Sequence, residues 1–149
     1  MSPEIITKFL VAAVLAGTPF LFGTVGEILS EKVGHLNLGV EGMMSLGACA
    51  GFMVGYITDN FFLAVIAAFA AGMFGALIYA VLTVTFMANQ NVTGLTLTIF
   101  GVGLSNFIGV FMLERSSGGT LKLPETITGQ MRNIHIPGLS DIPVVGELL

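Results

Sequence analysis

Asn37, Glu41 and Ser45 stand four residues apart in "GHLNLGVEGMMSLGACAGFMVG", residues 34–55, a stretch otherwise apolar enough to lie in hydrocarbon. Each step of four residues on a helix turns about 40°, so the three side chains fall within roughly 80° and form one polar stripe. An amide, a carboxylate and a hydroxyl on one face can hydrogen-bond a polar solute or line a wet passage. A carboxylate is costly in lipid, which points to such a role. A plainer reading stays open: Asn37 as a helix N-cap, with Glu41 favoured by the helix dipole near the interface. A proton relay is not expected, as no second intramembrane acid or histidine stands out to pass a proton on.

A second polar group runs through Asn89, Gln90 and Asn91 to Thr93, Thr96 and Thr98, with Asn106 further on. Threonines in spans often only bond the carbonyl four residues back, and "NQN" reads as a solvated loop. Asn106 needs a polar partner if buried, which makes it the pathway candidate of its helix. No catalytic residue and no metal site are expected. The sequence holds no GxxxxGK[ST] phosphate loop and no metal-spaced Cys/His cluster, and His35 and His135 lie in separate loops. Cys49 is the one cysteine, set in an apolar run, and reads as an inert thiol.

The elements that position these groups follow from composition. Of 149 residues, 54% are hydrophobic and 9% charged, against about 25% charged in a soluble domain. Such a chain belongs in a membrane, in contact with lipid, and its net charge of −4 gives no support for nucleic-acid binding. The expected fold is all-α and polytopic, with spans at 9–29, 37–57, 61–86 and 92–113. "FLVAAVLAG" after Lys8 has the look of a signal-peptide core, but the apolar run continues through "TPFLFGTVGEIL" and is read as a retained span. Pro19 withdraws a hydrogen bond from the Leu15 carbonyl and predicts a kink. The third span is long, roughly 39 Å as helix, and should tilt or protrude. Gly39 and Gly42 flank Glu41 and predict a break in the second helix, which is tolerated at membrane depth where it lines a cavity or is buried in protein.

Small residues recur every four positions. Gly47, Gly51 and Gly55 form a ridge in the second span, Ala68, Gly72, Ala76 and Ala80 in the third, and Gly101, Ser105 and Gly109 in the fourth. Lipid offers no hydrophobic drive for helix pairing, so such ridges predict close backbone packing. Residues 1–113 are thus read as a four-span region. Residues 114–149, with Pro124, Pro137 and Pro143, are read as an extramembrane loop, and the closing "IPVVGELL" as the approach to a fifth span that the sequence does not contain.

Through "GEILSEKVGHLNLGVEGMMSLGACAGF" and "ANQNVTGLTLTIFGVGLSNFIG" the sequence resembles the permease subunits of bacterial ABC importers for branched-chain amino acids, ribose and nucleosides, with the nucleoside or simple-sugar permeases nearest. The likeness runs from about Thr18 to Leu149. It implies an inner-membrane subunit that works by alternating access, beside a second permease subunit, an ABC ATPase and a substrate-binding lipoprotein. ATP would be bound in the partner ATPase and no cofactor by this chain. It also implies that Asn37 to Gly42 form an irregular, pathway-associated helix and that Asn89 to Gly94 enter the fourth span. Family members are longer, so the sequence reads as the N-terminal part of a subunit or as a truncated product. The rival readings are a four-helix proton-coupled exporter using Glu41, and a scaffold subunit with no pathway. Orientation brings a conflict. Lys8, Arg115, Lys122 and Arg132 against Lys32 would place the tail in the cytoplasm, whereas the resemblance places it outside.

Overall fold

The computed structural model describes residues 3–116 and 120–130, and all regular structure among them is helical. Helix α1 spans Pro3–Lys32, α2 Val40–Thr58, α3 Phe61–Ala80, α4 Gln90–Arg115, and a short α5 Glu125–Gln130. Among the described residues, four helices are long and apolar enough to cross a membrane. Helix α1 continues through Pro19, and the Thr18 hydroxyl donates to the Val14 carbonyl at 2.8 Å.

The ends of the helices show why these segments stop where they do. Helix α1 ends in a Schellman motif. Gly34 takes a left-handed φ of 85°, its N–H donates to the Glu31 carbonyl, and the His35 N–H reaches back to Ser30. Asn60 caps α3, its Oδ1 accepting from the N–H groups of Phe62 and Leu63, and Asn89 caps α4 by accepting from Val92. Helix α3 does not end cleanly. Its last turn widens into a π-helical turn, Val81–Thr85, and Met87 then takes a left-handed φ of 51°.

Helix α2 is the centre of the bundle, packed against both α3 and α4. Gly47, Gly51 and Gly55 face α3: a methyl group on Gly47 would lie 3.0 Å from the Ala68 carbonyl oxygen, and one on Gly51 3.0 Å from the Ala68 Cβ. Against α4 the approach is closer still. A methyl on Gly42 would lie 2.6 Å from the Thr98 Cα, and one on Gly101 would overlap the backbone of Gly42. Met43, Tyr79 and Leu97 form the small core where the three helices meet. Large apolar side chains such as Phe9, Phe62 and Phe107 point outward, as expected of helices solvated by lipid or by further helices.

The expected break in the second span falls at its entry. Residues 37–39 are non-helical, and from Val40 the helix is uninterrupted. Gly39 and Gly42 serve a different need there, which is close approach to α4. Of the two outer ridges, Gly101 is packed, whereas a methyl on Gly72 or Gly109 would meet nothing within 4 Å. Residues 131–149, including the expected approach to a fifth span, lie outside the described residues.

Candidate functional site

The connection from Gly34 to Gly39 lies at the end of the bundle where α2 and α4 begin. Its backbone cannot satisfy itself as a helix does, and each N–H or C=O shielded from water needs another partner. Side chains from other helices supply the partners. The Tyr79 hydroxyl of α3 donates to the Leu36 carbonyl at 2.6 Å. Gln90 of α4 accepts from the Leu36 N–H at 2.9 Å through Oε1 and donates to the Gly34 carbonyl at 3.5 Å through Nε2. The Thr98 hydroxyl donates to the Leu38 carbonyl at 2.7 Å. From α1, Glu27 accepts the Asn37 N–H at 2.6 Å.

Asn37 closes the turn from within. Its Oδ1 accepts from the Gly39 N–H at 3.0 Å and its Nδ2 points to the Met43 sulfur at 3.8 Å, an Asx-type turn leading into α2. Gly94 of α4 then lies against this turn: a methyl there would stand 2.8 Å from the Leu38 nitrogen and 3.0 Å from that of Gly39. The two polar segments singled out in the sequence, 37–42 and 89–94, therefore meet in one junction of backbone groups and polar side chains.

The individual residues are placed differently from a single stripe. Asn37 precedes the helix and is buried, Glu41 is exposed in the first turn of α2, and Ser45 is half-buried one turn on. Because α2 starts at Val40, the three do not share a helix face. The N-cap of α2 is Gly39, with no side-chain cap, so Asn37 is not the cap either. Asn89 is exposed and serves as the α4 cap, and Gln90 and Thr98 bind the connection. Thr96 bonds the carbonyl four residues back, but Thr98 does not. Asn106 is exposed, eight residues and about 12 Å along α4 from Thr98, away from the junction. Ser105 has a buried hydroxyl without a hydrogen-bond partner, and its carbonyl lies 3.9 Å from the Cys49 sulfur.

Sequence reasoning passed over Glu27 and Tyr79, and read Gly42 as a helix breaker where the structure uses it for close approach. Glu27 is the second acid inside a span that the proton-relay reading did not count. Its position within "GTVGEIL" was the available signal. Tyr79 looked like one more aromatic in an apolar run, and nothing in its spacing tied it to residue 36. Among the described residues no group of three metal-ligating side chains converges. The junction brings backbone groups and polar side chains together in hydrogen bonds.

Residues 4–134 match the family model described as branched-chain amino acid transport system / permease component. Among curated proteins, the chain is 38% identical over 136 residues to TsgC13 of Haloferax volcanii, provisionally named a glucose ABC transporter permease. That alignment covers 91% of this chain and 39% of TsgC13. It is 29% identical to the guanosine ABC transporter permease NupQ of Bacillus subtilis, over 97% of this chain and 46% of that protein. With the nucleoside ABC transporter permease NupC of Lactococcus lactis it shares 32% identity, over 88% of this chain and 41% of that protein. The chain therefore spans less than half the length of each of these relatives. No solved structure matches it significantly.

Proposed function

Since the chain belongs to the family of branched-chain amino acid transport system permease components, we propose that it forms part of the permease subunit of an ABC importer in the bacterial inner membrane. Its cargo in this reading is a nucleoside or a simple sugar, the classes named for its relatives. The subunit would work beside a second permease subunit, an ABC ATPase that binds the ATP, and a lipoprotein that delivers the solute. The chain itself would bind no cofactor. The observation that carries the reading is the junction: non-helical backbone at the end of an apolar bundle, held by side chains from α1, α3 and α4. Irregular backbone among membrane helices is found where it is buried in protein or lines a cavity, as at the sites of transporters.

In this mechanism helices repack around a central passage as the ATPases close and open. Glycine contacts such as Gly42 on Gly101 support discrete packings. Asn37, Gln90 and Thr98 hold the entry of α2, Asn89 starts α4, and Glu41, Ser45 and Asn106 offer polar groups to the passage. Cells carrying the complete permease with its ATPase and lipoprotein should accumulate labelled nucleoside or glucose in an ATP-dependent way. Efflux driven by a proton gradient and abolished by Glu41→Gln would overturn the reading.

The tail following α4 is assigned to the outer face. Cysteine introduced at the exposed Thr120, with Cys49 replaced, should react with an impermeant thiol reagent on intact cells. Labelling that requires permeabilised cells would reverse the orientation.

A further inference from the structure

Glu27 is an ionisable group inside a span to which the proposed mechanism gives no role of its own. It lies in α1 one turn after Gly23, so the two share a face, and both meet the start of α2. A methyl on Gly23 would stand 3.0 Å from the Met44 sulfur and 3.3 Å from Val40, while Glu27 Oε1 accepts the Asn37 N–H at 2.6 Å. The other side chains that hold the connection come from α3 and α4, which with α2 form the packed core. Helix α1 stands outside that core, with no buried residue in its membrane-crossing stretch.

The carboxylate is also poorly placed for stability alone. Its second oxygen, Oε2, is buried without a hydrogen-bond partner among the described residues. An unsatisfied buried oxygen opposes folding; an apolar side chain of similar size would remove that cost but leave the Asn37 N–H without its acceptor. What a carboxylate supplies here is a short, charge-assisted bond to one backbone N–H, directional enough to fix where that N–H sits.

We propose that Glu27 is a positioning residue: it ties α1 to the Leu36–Leu38 connection, so that displacement of α1 is passed to the entry of α2. The transport consequence rests on the permease reading, whereas the tie itself does not. A carboxylate that joins an outer helix to a non-helical connection makes the two move together. Loss of the tie leaves the connection held by Tyr79, Gln90 and Thr98, folded but no longer following α1.

The test pairs two measurements on the complete protein, with Glu27→Ala and Glu27→Gln. In lipid nanodiscs, amide hydrogen exchange at Asn37 should rise at least about tenfold in Glu27→Ala, the scale of a lost bond to a charged acceptor. In Glu27→Gln, whose amide oxygen still accepts, the rise should stay within about threefold. Uptake by the assembled importer should fall in Glu27→Ala through its maximal rate, with the half-saturating concentration unchanged, and recover largely in Glu27→Gln. Unchanged exchange in Glu27→Ala would overturn the tie, and raised exchange with unchanged uptake would overturn its role in transport. Should Glu27→Ala fail to fold, Glu27→Leu, which keeps the bulk of the side chain without an acceptor, takes its place: raised exchange at Asn37 with a lowered maximal rate supports the tie, and exchange as in the parent overturns it. Failure of the permease reading would show separately, as absence of uptake in the unsubstituted protein.

Discussion

The two ends of the bundle are built by different means. At the end where α2 and α4 begin, the connection at residues 34–39 is held by polar side chains reaching from three other helices, and its neighbours are glycines at backbone contact. At the other end the α2–α3 turn is local. Asp59 takes a left-handed φ of 52° and Asn60 caps the next helix. The returning segment at 120–130 covers that turn: Ile127 is buried to 2% exposure, it and Leu123 pack toward Gly55, and the Thr126 hydroxyl donates to the Asp59 carboxylate. One end is a distributed lattice of hydrogen bonds, and the other is a turn under an apolar lid. In the proposed transport mechanism, the first construction would suit an end that moves while keeping its polar partners, and the second an end that stays closed.

The sharpest way to break this contrast is to disturb the backbone contact of α2 with α4. A methyl on Gly42 would lie 2.6 Å from the Thr98 Cα and 2.9 Å from the Leu97 carbonyl carbon, and backbone atoms of a packed helix cannot yield cheaply. Gly42→Ala should destabilise the bundle by about 1–3 kcal/mol or more, the range for overpacked cores. The thermal unfolding midpoint in detergent should fall and the yield of assembled protein with it. An unchanged midpoint would mean that α2 and α4 are not in backbone contact at this level.

The opposite end should respond more locally. Ile127→Ala removes the most buried side chain of the described residues, a change that costs about 2–5 kcal/mol in a closed core. Here the loss should fall on the segment at 120–130 and leave the helices intact. Limited proteolysis should cut that segment several-fold faster, with little shift in the unfolding midpoint of the bundle. A large fall in the midpoint would show instead that the lid is part of the core, and the two ends would then be alike.

Much of this was legible in the sequence because hydrophobic runs of the right length have one structural outcome in lipid. The third and fourth helices begin within two residues of where the apolar pattern places them, and the Gly47–Gly51–Gly55 ridge faces α3. The start of α2 was harder. "NLGVEG" stops the helix only through Asn37 and its glycines, and the partners that hydrogen-bond residues 36–38, Glu27, Tyr79, Gln90 and Thr98, lie far apart in sequence. Periodicity carries no information about such pairings. The polar stripe failed for the same reason: Asn37 belongs to the turn, and only Glu41 and Ser45 ride on the helix.

The smallest effect is expected where the ridge pattern meets open space. Gly72 and Gly109 carry the same four-residue spacing as Gly47 and Gly101, yet a methyl on either would touch nothing within 4 Å. With no contact to lose, alanine should change stability by no more than about 0.5 kcal/mol, or raise it slightly through its better helix propensity. Gly72→Ala and Gly109→Ala should therefore leave the unfolding midpoint in detergent within a degree or two of the parent, on the scale of that energy. Set beside Gly42→Ala, the pair separates spacing from contact. If both proved as damaging as the α2–α4 substitution, these faces of α3 and α4 would have to be covered by a helix outside the described residues, and the four-residue spacing would then mark that second interface.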